Sequence, residues 1–108
     1  MASIEPHPGE VWIVDFGTAA KQRPVIVLAC PQPQDARALV IVAPLTSQIR
    51  GLRGEVYLGK PRWLSKHSAA NVQGLASIDQ NSLGRKLGRL MPSQLNAVKD
   101  AIRDLLNL

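Results

Sequence analysis

The chain reads as a mainly β fold completed by one C-terminal helix. Short runs of β-branched and aromatic residues recur between Gly- and Pro-containing breaks, the usual signature of strands and turns. Two of these runs are apolar at consecutive positions, as expected of strands buried on both faces. Only the last stretch of the chain spaces its apolar residues by three and four, the helical period.

Pro8-Gly9 marks a turn, and a first strand follows from Glu10 to Phe16. A short connection, Gly17 to Gln22, leads to a second strand that begins near Arg23 and runs through Pro24, Val25, Ile26, Val27 and Leu28. Turn residues from Pro31 to Ala36 precede the third strand, Leu39 to Leu45. These three strands are the expected hydrophobic centre. Gly51 to Gly54 reads as a flexible basic turn, Glu55 to Leu58 as an edge strand, and Lys60 to His67 as loop. From Ala69 to Ile78 the period is two, which puts Ala70, Val72, Gly74, Ala76 and Ile78 on one face and Asn71, Gln73, Leu75 and Ser77 on the other. Asp79 is placed to cap a short turn through Leu83, and Arg85 to Leu90 resumes strand-like alternation. In the tail, Leu95, Val98, Ile102 and Leu105 form the stripe of an amphipathic helix, widened by Ala101 and Leu106. Pro92 suits the first helical position; either Met91 is a weak N-cap or Ser93 caps a later start.

The 108 residues suffice for one domain spanning 1–108 with a modest core. No apolar stretch reaches the roughly 18 residues that would span a bilayer. The first ten residues have neither a basic segment nor an apolar one, so a secretory signal is not expected and the cytoplasm is. Cys30 is the single cysteine, which excludes an internal disulfide. With His7 and His67 it makes too sparse a set for a metal site, and no cofactor is implied. The net charge is +5, but residues 51–108 hold nine basic and four acidic side chains, whereas residues 1–50 hold four of each. Such a local excess suits a polyanion or an acidic protein. One Phe, one Tyr and two Trp leave little for a stacking platform, so binding is expected to lean on charge and hydrogen bonds.

Two strand ends carry groups that fit phosphate: Arg23 opens the second strand, and Thr46-Ser47 closes the third. A guanidinium offers paired donors to phosphate oxygens, and nearby hydroxyls add more. From these residues alone two readings stand, a phosphodiester site or a solvated edge charge beside a turn.

Taken in order, PGEVWIVDFG (8–17), KQRPVIV (21–27), APLTS (43–47), SID (77–79) and LGRKLGRL (83–90) resemble the MazF/PemK toxin family over nearly the whole chain. The resemblance implies a small, strongly bent SH3-like β-barrel with helical additions, shared with the CcdB toxins. It also implies a homodimeric, metal-independent, sequence-selective endoribonuclease that cuts single-stranded mRNA and is silenced by an acidic antitoxin on its RNA-binding surface. By position, Arg23 and Thr46 match the family's catalytic residues, and Ser47 an accompanying phosphate or ribose contact. Asn71 and Gln73 fall where plasmid-encoded members place an Arg and an Asp, and Gln73 matches a branch variant. Arg50, Arg53, Arg85 and Lys86 are the expected basic contacts to RNA, and Trp63 an apolar anchor for the antitoxin. The connection from Gly17 to Gln22 is shorter than in many relatives. His67 stands where many have an acid, and reads as an exposed loop residue. Two alternatives are an inactive RNA-binding homologue and a CcdB-like gyrase poison. The latter depends on a Trp-Gly-Ile terminus where this chain has Leu106, Asn107 and Leu108.

Overall fold

The computed structural model describes residues 5–15 and 22–108. The Gly17 to Gln22 connection, except for Gln22 itself, and Phe16 at the expected end of the first strand lie outside the described residues. Pro8 and Gly9 make the turn that starts the barrel. Gly9 has φ +93°, where an L side chain is strained, and the Glu10 N–H closes the turn on the His7 carbonyl at 3.1 Å. Strand β1 (Glu10–Asp15) then pairs antiparallel with β2 (Gln22–Ala29) in the register Val11↔Ile26 to Asp15↔Gln22. β2 pairs with β3 (Leu39–Thr46), and β1 pairs on its other side with β7 (Leu83–Arg89), so the three strands expected at the centre are central.

Alternation separates two cores. Val11 and Ile26 face a cluster with Leu45, Leu58, Ala70, Val72, Leu90 and Val98, whereas Trp12, Val14, Val25, Val27, Val40 and Val42 form the other. Burial on both faces of β2 is therefore as its unbroken apolar run requires.

The bend of the sheet is written into β3. Its Leu39–Val42 half pairs with β6 (Ala76–Asp79), but Leu45 and Thr46 pair with β5 (Ser68–Asn71) instead. Pro44 falls in the gap between these partners, where its missing N–H leaves no ladder bond unmade. A 3₁₀ turn, Val72–Gly74, fills the gap, with no room for a side chain at Gly74: a Cβ there would lie 2.6 Å from the Pro44 ring. This turn corrects the expectation of one strand from Ala69 to Ile78. The Asn71 carboxamide accepts the Gln73 N–H at 3.2 Å and winds the chain between β5 and β6, so that Ala70 and Val72 pack in the Leu45 cluster while Ile78 packs in the Val40 cluster, not on the single face the alternation predicts.

β4 (Glu55–Gly59) is an edge strand paired only with β5 among the described residues. The preceding basic turn is held rather than free, since one Glu55 carboxylate oxygen accepts the N–H groups of Arg50, Gly51 and Leu52 at 2.8 to 3.2 Å. The loop after β4 returns to β7, where Trp63 covers Gly88 so closely that a methyl at Gly88 would come within 2.5 Å of the indole. Trp63 thus packs half-buried against the core, leaving part of its indole outward. Asp79 caps the turn Gln80–Ser82 through the Asn81 N–H at 2.8 Å, as its position predicted.

Helix α1 (Pro92–Leu106) begins at Pro92 after Met91, the first of the two starts the sequence allowed. Gln94 accepts the Met91 N–H at 3.0 Å, supplying the cap that a Met side chain does not, and donates to the Leu58 carbonyl at 3.2 Å, which fixes the helix to β4. Val98 is buried, with Leu95, Ala101, Ile102 and Leu105 packed around the same core. Among the described residues no helix is long and apolar enough to cross a membrane.

Candidate functional site

The register locates the site. β2 and β3 pair through Val25↔Pro44 and no further, although counting on along the same register sets Arg23 opposite Thr46. Beyond that point Arg23 is held from β1 by Val14, and Thr46 is held from β5 by Ala69. The β2–β3 ladder ends there, and a groove of about 520 Å³ lies at the two strand ends. Arg23 and Thr46 both line it, together with Ser47, Gln48, Ser65, Lys66 and Ser68. Arg23 and Thr46 have the parity that points away from the Leu45 cluster, so both side chains face the same side of the sheet.

Local bonds preset the groups. The Thr46 hydroxyl oxygen accepts the Gln48 N–H at 3.0 Å, which leaves its own O–H to donate outward. Arg50 donates to the Gln48 carboxamide at 3.2 Å, bringing a second guanidinium to the rim. Buried Ser68 donates to the Lys66 carbonyl at 3.1 Å and steadies the segment that presents the Lys66 ammonium. The lining contains the cations of Arg23 and Lys66 and no carboxylate or imidazole among the described residues. It is therefore suited to an anion that needs several hydrogen-bond donors.

Other expected contacts lie elsewhere. Asn71 ends β5 and caps the 3₁₀ turn, Gln73 lies on the turn and donates to the Arg53 carbonyl at 2.8 Å, and neither lines the groove. Arg53 is tied to α1 through the Asp104 carboxylate at 3.5 Å and the Asp104 carbonyl at 3.3 Å. Arg85 and Lys86 stand on β7 beside a separate depression with Glu5, His7, Glu10 and Trp12. Of the expected basic contacts, Arg50 thus reaches the groove rim through Gln48, while Arg53, Arg85 and Lys86 lie outside the groove lining. Lys66 and Gln48 are groove residues that the sequence reading did not single out. Lys66 was visible only as one of several loop cations, and nothing local marked it.

The charges at β7 serve Glu10. Its buried carboxylate meets Lys86 Nζ at 3.0 Å and Arg89 at 3.8 Å, and accepts the His7 N–H at 2.8 Å and the Trp12 Nε1–H at 3.1 Å. Burial alone would raise its pKa, but these hydrogen bonds and the Lys86 charge together hold it below the ordinary value. Burial, and then the Glu10 charge, push the Cys30 thiol up, which makes it a poor nucleophile. His67 is exposed, as expected.

A model of the family described as "PemK-like, MazF-like toxin of type II toxin-antitoxin system" matches residues 7–106. A "Probable endoribonuclease MazF5" of Mycobacterium tuberculosis (strain ATCC 25618 / H37Rv) is 36% identical over 102 residues, covering 90% of this chain and 89% of that protein. The structure of "Mycobacterium tuberculosis toxin MazF-mt6" superposes with a TM-score of 0.77 at 30% identity, over 92% of this chain and 97% of that one. An "Endoribonuclease in complex with its cognate antitoxin from Mycobacterial species" has the same fold, with a TM-score of 0.79 at 23% identity, over 95% of this chain and 96% of that one.

Proposed function

The chain belongs to the PemK-like, MazF-like toxin family, and from that premise we propose that it is an endoribonuclease toxin whose scissile phosphate binds between Arg23 and Thr46. The observation that carries the assignment of residues is that two register-matched strand ends, past the last β2–β3 pair, line one groove. RNA brings its own nucleophile. The 2′-oxygen attacks phosphorus and loses its proton, the bond to the 5′-oxygen breaks, and that oxygen takes up a proton. The products are a 2′,3′-cyclic phosphate and a free 5′-hydroxyl.

Charge builds on the non-bridging oxygens as the attack proceeds, and the Arg23 fork is the group suited to meet it. The Thr46 O–H, its acceptor side already engaged by Gln48, orients one of those oxygens or delivers a proton through its hydroxyl. Lys66 and Ser47 hold the adjoining backbone. Positioning and electrostatics are the main sources of rate here, since the groove lining holds no carboxylate or imidazole among the described residues to serve as a base.

Single-stranded RNA is the expected substrate, because an A-form duplex holds the 2′-hydroxyl away from the in-line position and hides its base edges. The family's type II toxin–antitoxin setting makes an acidic antitoxin the partner that silences the protein on this basic face, and a homodimer the working form. Cellular mRNA as substrate places the protein in the cytoplasm. The test is incubation of purified protein with a long single-stranded RNA in excess chelator, with gyrase supercoiling followed in parallel. Discrete fragments with cyclic-phosphate ends and unaffected gyrase are expected. Intact RNA with retained binding would instead make the protein an inactive RNA-binding homologue, and lost supercoiling a gyrase poison.

A further inference from the structure

We propose that Tyr57 and His67 form a flat aromatic platform on which one base beside the scissile phosphate stacks. The proposal rests on the endoribonuclease reading and adds a base-holding site to it. Two pairings lie in one line across the sheet: Thr46 of β3 opposite Ala69 of β5, and Ala69 opposite Tyr57 of β4. Cross-strand partners share a face, so Tyr57 projects on the side of the sheet that carries Thr46 and Arg23. Its distance from Thr46 along the row is two strand spacings, about 10 Å. That is within reach of the base on a nucleotide next to a phosphate held at Thr46.

The geometry of the pair suits a base. The Tyr57 hydroxyl and His67 Nδ1 are 2.6 Å apart, and the rings are within 10° of parallel with centroids 6.1 Å apart. The centroid separation is close to the sum of the two ring radii, the C–O bond and the hydrogen bond. The rings are therefore nearly parallel, and because their edges meet through the hydrogen bond their planes are stepped by no more than its 2.6 Å, so that the two faces adjoin. Tyr57 is 60% exposed and His67 is exposed as well, which is an unfavourable way to leave a large aromatic residue unless something covers it. His67 sits between Lys66 and Ser68, both of which line the groove, so a strand bound there would pass the platform. The surrounding charge is basic, with Lys66 adjacent and Arg50 at the rim, which favours a nucleotide over an uncharged apolar ligand. The sequence reading found too few aromatic residues for a stacking surface; two rings joined by a hydrogen bond suffice for one base.

The test starts from a cut site mapped in a long RNA. A fluorescent oligoribonucleotide spanning that site, with a single 2′-deoxy sugar at the scissile nucleotide, cannot be cut because the nucleophile is gone. Its affinity is measured by anisotropy for the natural protein, Tyr57→Ala and Tyr57→Phe, with melting curves to verify folding. Tyr57→Ala should weaken binding about tenfold, and Tyr57→Phe, which keeps the ring, by no more than about twofold. Removing the base at one flanking position should weaken the natural protein by a similar factor and leave Tyr57→Ala unaffected. Equal affinity of Tyr57→Ala and natural protein, or base removal that weakens both alike, overturns the platform while leaving the endoribonuclease reading intact. Loss of antitoxin binding alone, with RNA affinity unchanged, reassigns the pair to the protein partner and likewise overturns it. Absence of any RNA cleavage by the natural protein removes the reading beneath it as well.

Discussion

Thr46 and Arg23 make different demands on their surroundings, and their variants should separate accordingly. Arg23→Ala removes a charged donor from the developing transition-state charge, a loss worth about a hundred- to a thousandfold in rate. Arg23→Lys keeps the charge without the fork and should recover only part of it. Thr46→Ala should slow cleavage strongly while Thr46→Ser retains most activity, because the Gln48 N–H can orient either hydroxyl. Single-turnover cleavage beside melting curves checks both; losses that track stability would refute the catalytic assignment. Lys66→Ala removes one phosphate contact and should flatten the slope of log affinity against log salt by about 0.7, the single-strand value, with an unchanged slope placing Lys66 outside the RNA path. At this scale the sequence was legible where a residue sits at a strand end whose register can be counted, as at Arg23 and Thr46. It was not legible at Lys66, whose place depends on where a loop returns, nor at Asn71 and Gln73. There a carboxamide that captures the local backbone overrode the side-chain alternation.

Elements were readable wherever a buried face imposed a period. β1, β2, β3, β7 and α1 follow from apolar spacing, and Asp79 from its capping position. The Val72–Gly74 turn escaped because an unbroken period of two gives no sign that the chain changes faces, yet Ala70 packs with Leu45 and Ile78 with Val40. The closure of the loop after β4 onto β7 escaped for another reason. A glycine in a strand reads as a weakness, while here it is the seat of the Trp63 ring. Gly88→Ala should therefore destabilise by about 1–3 kcal/mol through overpacking, visible as a lower urea midpoint. An unchanged midpoint would show that the loop does not close the barrel.

For the whole molecule, Glu10 ties together the N-terminal turn, β1 and β7. Its folded pKa lies below its ordinary value of 4.5, so its stabilisation is complete above that pH and is lost as pH falls through the lower folded value. Glu10→Gln should cost about 1–3 kcal/mol at neutral pH and progressively less below pH 4.5, as thermal melts of the two proteins across pH 7 to 3 will register. A constant difference would mean that Glu10 acts by shape alone. The end of the β2–β3 ladder at Val25 and Pro44 carries one more consequence. Arg23 is steadied by β1 and Thr46 by β5, with no ladder bond joining them directly. The reactive pair is thus only as well aligned as the slack between two independently anchored walls allows. Sub-denaturing urea should silence cleavage before circular dichroism reports any loss of strand, so that the toxin is disarmed by misalignment while still folded.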